Sequence, residues 1–76
     1  MTEFEWLDIF SDNLADMLSS SGMSQRELAE EAGLSEATIS SYINKRKIPS
    51  LRAIINISYA LDCDIGELID FGGTIE

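Results

Sequence analysis

The chain has 76 residues, a formal net charge of −9, 45% hydrophobic residues, one cysteine and no histidine. This length supports one small domain, and a single cysteine excludes an intramolecular disulfide, which fits a reducing, cytoplasmic setting. No apolar run approaches the roughly 20 residues that span a bilayer. Without histidine, metal-ligand spacing or a glycine-rich phosphate loop, the sequence indicates no enzyme, no cofactor and no metal site.

Hydrophobic periodicity predicts an all-α fold, a compact five-helix bundle without strands, formed by the whole chain as one domain. The first helix is expected from about Glu3 to Ser20. Its apolar stripe consists of Phe4, Leu7, Phe10, Leu14, Met17 and Leu18. Trp6 lies at the edge of this stripe and Ile9 well off it. Either the helix begins later, or this additional apolar surface meets a partner.

The second and third helices are short and clearly delimited. Ser24 forms a capping box with Glu27 at the start of the second helix, and Gly33 ends that helix in the left-handed conformation. The third helix is expected from Ser35 to about Asn44. The residues expected on its inner face are Ile39, Tyr42 and Ile43.

The fourth helix follows a loop over residues 45–49. Ser50 caps it, Pro49 suits its approach, and it is expected to run to about Leu61. The residues expected to be buried are Leu51, Ile54, Ile55, either Ile57 or Tyr59, and Leu61.

The fifth helix is framed by Asp64 and Glu67 and covers about residues 65–71. The chain beyond its first turn is more apolar than a short terminal helix needs for its own core. This excess predicts a surface for dimerisation. The candidate dimer contacts are Ile69, Phe71 and Ile75, together with Trp6 and Ile9 of the first helix.

The second and third helices, joined at a glycine turn, have the plan of a helix-turn-helix. The outward face of the third helix carries short side chains, which allow a helix to enter the major groove deeply. There Glu36 can accept a hydrogen bond from cytosine N4, and Ala37 can contact a thymine methyl group. A plain solvent-facing helix is the alternative, although long Glu and Lys side chains are more usual on such a face.

Two stretches, SQRELAEEAGLSEATISSYI and KRKIPSLRAIINISYALDCDIGELI, resemble the Cro/C1-type helix-turn-helix domain of phage repressors and bacterial regulators. The resemblance covers roughly residues 10–70, with residues 1–9 as an N-terminal extension and 72–76 as a tail. It implies a lambda-repressor-like fold and sequence-specific binding to double-stranded operator DNA. It also implies a homodimer on a pseudo-palindromic site.

The resemblance assigns candidate DNA contacts by position. The base-reading positions are Ser35, Glu36, Ala37, Ser40 and Ser41. The phosphate-binding positions are Gln25, Asn44, Lys45, Arg46 and Lys47. Arg26 and Arg52 are weaker candidates and are expected to pair with nearby glutamates on the surface.

The chain departs from the family pattern in two places. Leu18 and Ile43 stand where family members often carry a buried arginine–glutamate pair, and packed hydrophobic residues can replace such a pair without loss. Lys45 stands where the family usually has glycine. If its φ is positive, lysine costs about 1–2 kcal/mol there, although it also adds a positive charge near the phosphates.

The charge is unevenly distributed along the chain. All five basic residues lie within residues 26–52, a segment of net charge +1, whereas the flanking segments carry acidic residues only. The acidic flanks serve either solubility or the weakening of non-specific DNA binding. The sequence therefore predicts a DNA-binding transcriptional regulator, a repressor rather than an activator. The alternative is a protein-interaction module on the same fold, antitoxin-like or an accessory phage protein, with weak or lost DNA binding.

Overall fold

A computed structural model describes the backbone of residues 3–69 and the side chains of residues 5–69. Within these residues it contains five helices and no strand, which confirms the predicted all-α fold. The helices are α1 (Glu3–Ser21), α2 (Gln25–Ala32), α3 (Glu36–Ile43), α4 (Leu51–Ala60) and α5 (Ile65–Leu68). The first four match the predicted bounds within one or two residues. The fifth is shorter than the predicted 65–71, because it ends at Leu68 with Ile69 as its C-cap; residues 70–71 lie outside the described residues.

Three serine side chains begin the central helices, as the sequence predicted. Ser24 Oγ accepts from the Glu27 backbone N–H at 3.0 Å, and Glu27 Oε1 accepts from the Ser24 N–H at 3.1 Å. Ser35 Oγ accepts from the Thr38 N–H at 3.0 Å. Ser50 Oγ accepts from the Ala53 N–H at 3.1 Å. Each hydroxyl satisfies a backbone donor that the first turn leaves free, so these starts are fixed locally.

The ends of α2, α3 and α4 share one geometry, in which a residue with positive φ terminates the helix. These residues are Gly33 (φ 69°), Lys45 (φ 62°) and Asp62 (φ 54°). After α3, the Lys45 N–H bonds the Tyr42 carbonyl at 3.2 Å and the Arg46 N–H bonds the Ser41 carbonyl at 2.8 Å. These two hydrogen bonds together form the Schellman motif. Lys45 therefore occupies the left-handed conformation that glycine adopts at lower cost.

All five helices contribute to one core, in which α2 packs on α3 and α4, and α1 packs on α3 and α5. Its fully or almost fully buried residues are Leu7, Phe10, Leu14, Leu18, Leu28, Ala29, Ala32, Ile39, Tyr42, Ala53, Ile54, Ile57 and Leu68. Phe10 stacks on Trp6 with ring centroids 5.7 Å apart and meets the Tyr42 ring edge-on at 6.0 Å. Ile43 packs partly buried against the same core as Leu18. Hydrophobic packing thus occupies the place of the ion pair that family members often carry.

The predicted burial of α4 is wrong at Leu51, which is 68% exposed. Of the two alternatives Ile57 and Tyr59, Ile57 is fully buried and Tyr59 is 80% exposed. Ile55 and Leu61 are half-buried. The helical rotation explains this: the core-facing side of α4 is centred on Ala53, Ile54 and Ile57, and Tyr59 points to the opposite side. The α1 stripe is confirmed at its described positions, with Met17 only half-buried; the side chain of Phe4 lies outside the described residues. None of the described helices combines the length and the apolar character of a membrane span.

Candidate nucleic-acid interface

The outward face of α3 presents the side chains that the sequence predicted for base reading. Ser35, Glu36 and Ala37 are exposed, and Ser40 and Ser41 are half-exposed. The opposite side of the helix holds Ile39 and Tyr42 in the core. The five predicted positions are therefore accessible, four of them on α3 itself and Ser35 at its N-cap.

The hydroxyl of Ser35 already has a structural task. Besides capping α3, its Oγ lies 2.8 Å from Thr38 Oγ1, so the two hydroxyls share a hydrogen bond. Because the hydroxyl is engaged in this way, a ligand would meet Ser35 mainly through the backbone at the N-terminus of α3.

The side chain of Asn44 hydrogen-bonds to Ser40. The side-chain amide nitrogen of Asn44 donates to the Ser40 backbone carbonyl at 2.9 Å and to Ser40 Oγ at 3.2 Å. Since Ser40 Oγ accepts from Asn44, its own hydroxyl proton is directed away from that amide. Ser40 keeps its hydroxyl proton to donate from the outward face of α3, together with one acceptor lone pair.

The start of α2 contributes backbone donors next to Gln25, which is half-exposed. A helix N-terminus attracts phosphate oxygens, although the Glu27 carboxylate in the same capping box opposes this attraction. Arg26 pairs with Glu30 at 3.4 Å on the exposed surface of α2, as expected for a surface ion pair.

The loop after α3 divides the predicted phosphate-binding residues into two groups. Asn44, Lys45, Arg46 and Lys47 are all exposed. Arg46 and Lys47 take part in no ion pair with other residues in the range 5–69, and they are accessible to an anion.

Lys45 behaves differently, because its ammonium turns back onto α1. Its Nζ lies 3.2 Å from Asp12 Oδ1 and 3.5 Å from Asp8 Oδ1. The hydrogen bond to Asp12, followed by the charges of both carboxylates, raises the pKa of the Lys45 ammonium above its ordinary value. The sequence alone did not predict this contact. The available signal was the spacing of Asp8 and Asp12, which places both carboxylates on one face of α1.

The candidate dimer contacts are only partly visible. Trp6 stacks within its own chain on Phe10, Ile69 packs partly buried against the core, and Ile9 is half-buried. Phe71 and Ile75 lie outside the described residues. The large apolar side chains that the structure exposes most are Ile48, Leu51 and Tyr59, none of which the sequence assigned to a dimer surface.

The arrangement of α2 and α3, with α3 presented outward and a basic loop behind it, defines a helix-turn-helix DNA-binding domain. The chain belongs to the Cro/C1-type HTH DNA-binding domain family, whose model matches residues 13–72. The predicted family is therefore confirmed. Among residues 5–69 no group of three or more side chains is placed to hold a metal ion.

Two solved structures have the same fold. The restriction-modification controller protein C.AhdI from Aeromonas hydrophila is 29% identical, with a TM-score of 0.79, over 82% of this chain and 94% of that chain. The SOS-response transcriptional repressor LexA from Eubacterium rectale superimposes with a TM-score of 0.84 over 100% of this chain and 81% of that chain. At 22% identity, the LexA likeness shows the fold alone. A search of curated proteins finds no match.

Proposed function

We propose that the protein is a sequence-specific transcriptional regulator that represses by occupying an operator in double-stranded DNA. The observation that carries this proposal is the outward face of α3, where short polar side chains cover a helix that the core holds in place. The similarity to C.AhdI, a restriction-modification controller protein, supports a regulatory role.

Base reading in this proposal rests on hydrogen bonds of opposite character along α3. The Glu36 carboxylate accepts, which favours the N4 amino group of cytosine. Ser40, whose oxygen accepts from Asn44, donates to acceptors such as guanine O6 or thymine O4. Ser41 and Ala37 complete the surface with a second hydroxyl and a methyl group. Because these four residues follow one another along α3, each would contact a different position along the groove.

Phosphate binding in this proposal rests mainly on Arg46 and Lys47. With about two neutralised phosphates per protomer, the logarithm of the binding constant falls with the logarithm of salt with a slope of about −2 per protomer. The contribution that does not depend on sequence is therefore small, and specificity depends on α3 and on the pairing of protomers.

Selection of bound sequences from a random duplex pool at low salt tests the proposal. We expect one enriched, roughly palindromic motif. Ser40→Ala combined with Ser41→Ala relaxes the preference at the bases they contact, with the salt slope unchanged. Arg46→Ala combined with Lys47→Ala weakens all sequences evenly and flattens the slope. If no motif is enriched even at low salt, the proposal fails.

The second candidate function is a protein-interaction module on the same fold. Two observations favour it: the Lys45 ammonium is already paired with carboxylates of its own chain, and apolar side chains of α4 are exposed. The same selection separates the two functions, because an interaction module enriches no DNA motif. Its prediction is instead a stable complex with a protein partner that α4 variants abolish.

A homodimer, which the proposed palindrome requires, has a candidate surface on α4. Leu51, Ile55 and Tyr59 recur at every fourth residue and therefore share one face, and Ile48 precedes it. We call these four residues the α4 apolar face. Leu51 and Tyr59 expose 68% and 80% of their surface, so a partner removes a substantial apolar area from water.

A second copy is the partner that the charges favour. The α4 apolar face has Arg52 near the N-terminal end of α4 and Asp62 just beyond its C-terminal end. An antiparallel pairing of two α4 helices about a two-fold axis brings Arg52 of each copy toward Asp62 of the other. Such a pairing is isologous, as the symmetry of a palindromic site requires.

Sedimentation with and without operator DNA tests this surface. We expect Leu51→Asn combined with Tyr59→Ser to shift the protein toward monomer, because both side chains are exposed and their loss leaves the core intact. Ile9→Ser is the matched control for the alternative surface on α1. A shift caused by Ile9→Ser and not by the α4 variant would assign dimerisation to α1.

A further inference from the structure

The contact between Lys45 and α1 joins three charges at the edge of the proposed DNA-binding surface. Lys45 follows directly after α3 and precedes Arg46 and Lys47, the two cations assigned to phosphates. Its ammonium nonetheless lies within 3.5 Å of Asp8 and 3.2 Å of Asp12. We call this arrangement the Asp8–Lys45–Asp12 cluster.

The cluster has a net negative charge, because two carboxylates face one ammonium. All three side chains are substantially exposed, with 40% of Lys45, 60% of Asp8 and 70% of Asp12 accessible. Water and salt therefore reach the cluster, and a phosphate oxygen can compete for the same ammonium. The contact is thus reversible in a way that a buried ion pair is not.

The backbone position of Lys45 makes its role in the cluster more specific. A lysine at φ 62° holds a conformation that glycine adopts more easily, so backbone strain opposes a lysine at this helix end. What the side chain adds is the link to α1. A chain with glycine here would have neither the cation nor a partner for the two carboxylates.

We propose that Asp8 and Asp12 hold Lys45 away from the DNA backbone and so set the ratio of specific to non-specific DNA binding, a proposal that rests on the proposed DNA-binding function. By sequestering one cation and adding negative charge at the loop that continues into Arg46 and Lys47, they weaken contacts that every DNA sequence offers. Base contacts through α3 are not affected in the same proportion. The two aspartates are therefore specificity-determining residues that lie outside the helix-turn-helix.

The test compares variants that change net charge equally. Asp8→Asn with Asp12→Asn frees Lys45, whereas Asp16→Asn with Glu31→Gln removes two exposed carboxylates elsewhere. Dissociation constants are measured for a random-sequence duplex and for the selected operator over a range of salt concentrations. Thermal melts confirm that each variant is folded.

We expect the freed lysine to contribute one more phosphate contact. Non-specific affinity of the Asp8→Asn, Asp12→Asn variant then rises about three- to tenfold near 0.1 M salt, and the salt slope steepens by about one unit per protomer. The operator affinity rises less, so the specificity ratio falls. The control variant shows a smaller rise. Adding Lys45→Met to the Asn variant removes the gain.

Three results would overturn the inference: a gain no larger than that of the control, a gain that survives Lys45→Met, or an unchanged specificity ratio. The singles Asp8→Asn and Asp12→Asn give a second measurement if the double variant is poorly folded. Asp12→Asn is then expected to have the larger effect, because it makes the shorter contact. If the unaltered chain binds its operator and the Asn variants match it, only this inference fails. If no variant binds DNA at low salt, the proposed function fails with it.

Discussion

The side-chain hydroxyl of Ser11 donates a hydrogen bond of 2.6 Å to the backbone carbonyl of Tyr42, and both residues are buried. The same carbonyl accepts the Lys45 N–H at 3.2 Å. Together with the Asp8–Lys45–Asp12 cluster, this contact ties the last turn of α3 to α1. The angle at which α3 presents its outward face therefore depends on α1, which precedes the helix-turn-helix in the chain.

Ser11→Ala is expected to lower the free energy of unfolding by about 1 kcal/mol, because it removes one buried hydrogen bond and leaves the Tyr42 carbonyl with the Lys45 N–H alone. Urea unfolding measures this loss. Ser19→Ala, at an exposed position of the same helix, is the control and is expected to change little. Equal stability of the two variants would show that the Ser11 contact contributes nothing.

Substitutions at Gly33 and Asp62, two helix-end residues with positive φ, are expected to change the free energy of unfolding in opposite directions. At Gly33 (φ 69°) an added Cβ meets no atom within 4 Å, so Gly33→Ala is expected to cost about 1 kcal/mol through backbone strain alone. At Asp62 (φ 54°) the strain already exists, and Asp62→Gly is expected to gain about 0.5 kcal/mol.

Asp62→Asn is the matched control for charge, because it removes the carboxylate and keeps a Cβ. Thermal or urea unfolding of the three variants separates the causes. If Asp62→Asn stabilises the chain as much as Asp62→Gly does, repulsion among the neighbouring carboxylates is the cause and backbone strain is not.

Local signals in the sequence predicted the helix boundaries, and long-range contacts explain what it missed. The caps at Ser24, Ser35 and Ser50 each bond a backbone N–H three residues on, so nearby residues decide them. The exposure of Leu51 depends on which side of α4 faces the core, and apolar residues occur on both sides. The partners of Lys45 lie on α1, far from it in the sequence. The spacing of Asp8 and Asp12 indicates that they share a face of α1, but it does not indicate which cation meets that face.

The cap at Ser35 stabilises the start of the helix proposed to read bases, where the sequence also predicts a base contact, whereas the cap at Ser24 stabilises a helix start beside a predicted phosphate contact. Ser24→Ala and Ser35→Ala are each expected to cost about 1 kcal/mol of stability. Only Ser35→Ala is expected to change the motif selected from random DNA. Ser35→Asn, which restores a capping side chain, should recover stability and leave the motif altered. A motif unchanged in both Ser35 variants would limit Ser35 to capping.

Alkaline pH is expected to destabilise the fold, because three groups hold their protons more tightly when folded. Burial raises the pKa of the Cys63 thiol, helped by the charges of Glu67, Asp64 and Asp62. Burial also raises the pKa of the Tyr42 hydroxyl, and the hydrogen bond to Asp12 raises that of the Lys45 ammonium.

The direction of this pH dependence follows from the number of protons that the folded chain and the unfolded chain each bind. As the pH rises past the ordinary thiol pKa of 9.0, the unfolded chain loses protons first, so the free energy of unfolding falls. Stability is fully present below that pH and declines further as Tyr42 and Lys45 begin to titrate in the unfolded chain. Urea unfolding between about pH 8 and 11 measures the decline. Cys63→Ser is expected to remove its earliest part and Tyr42→Phe a later part. A stability that stays level over this range in the unaltered chain would contradict the raised pKa values.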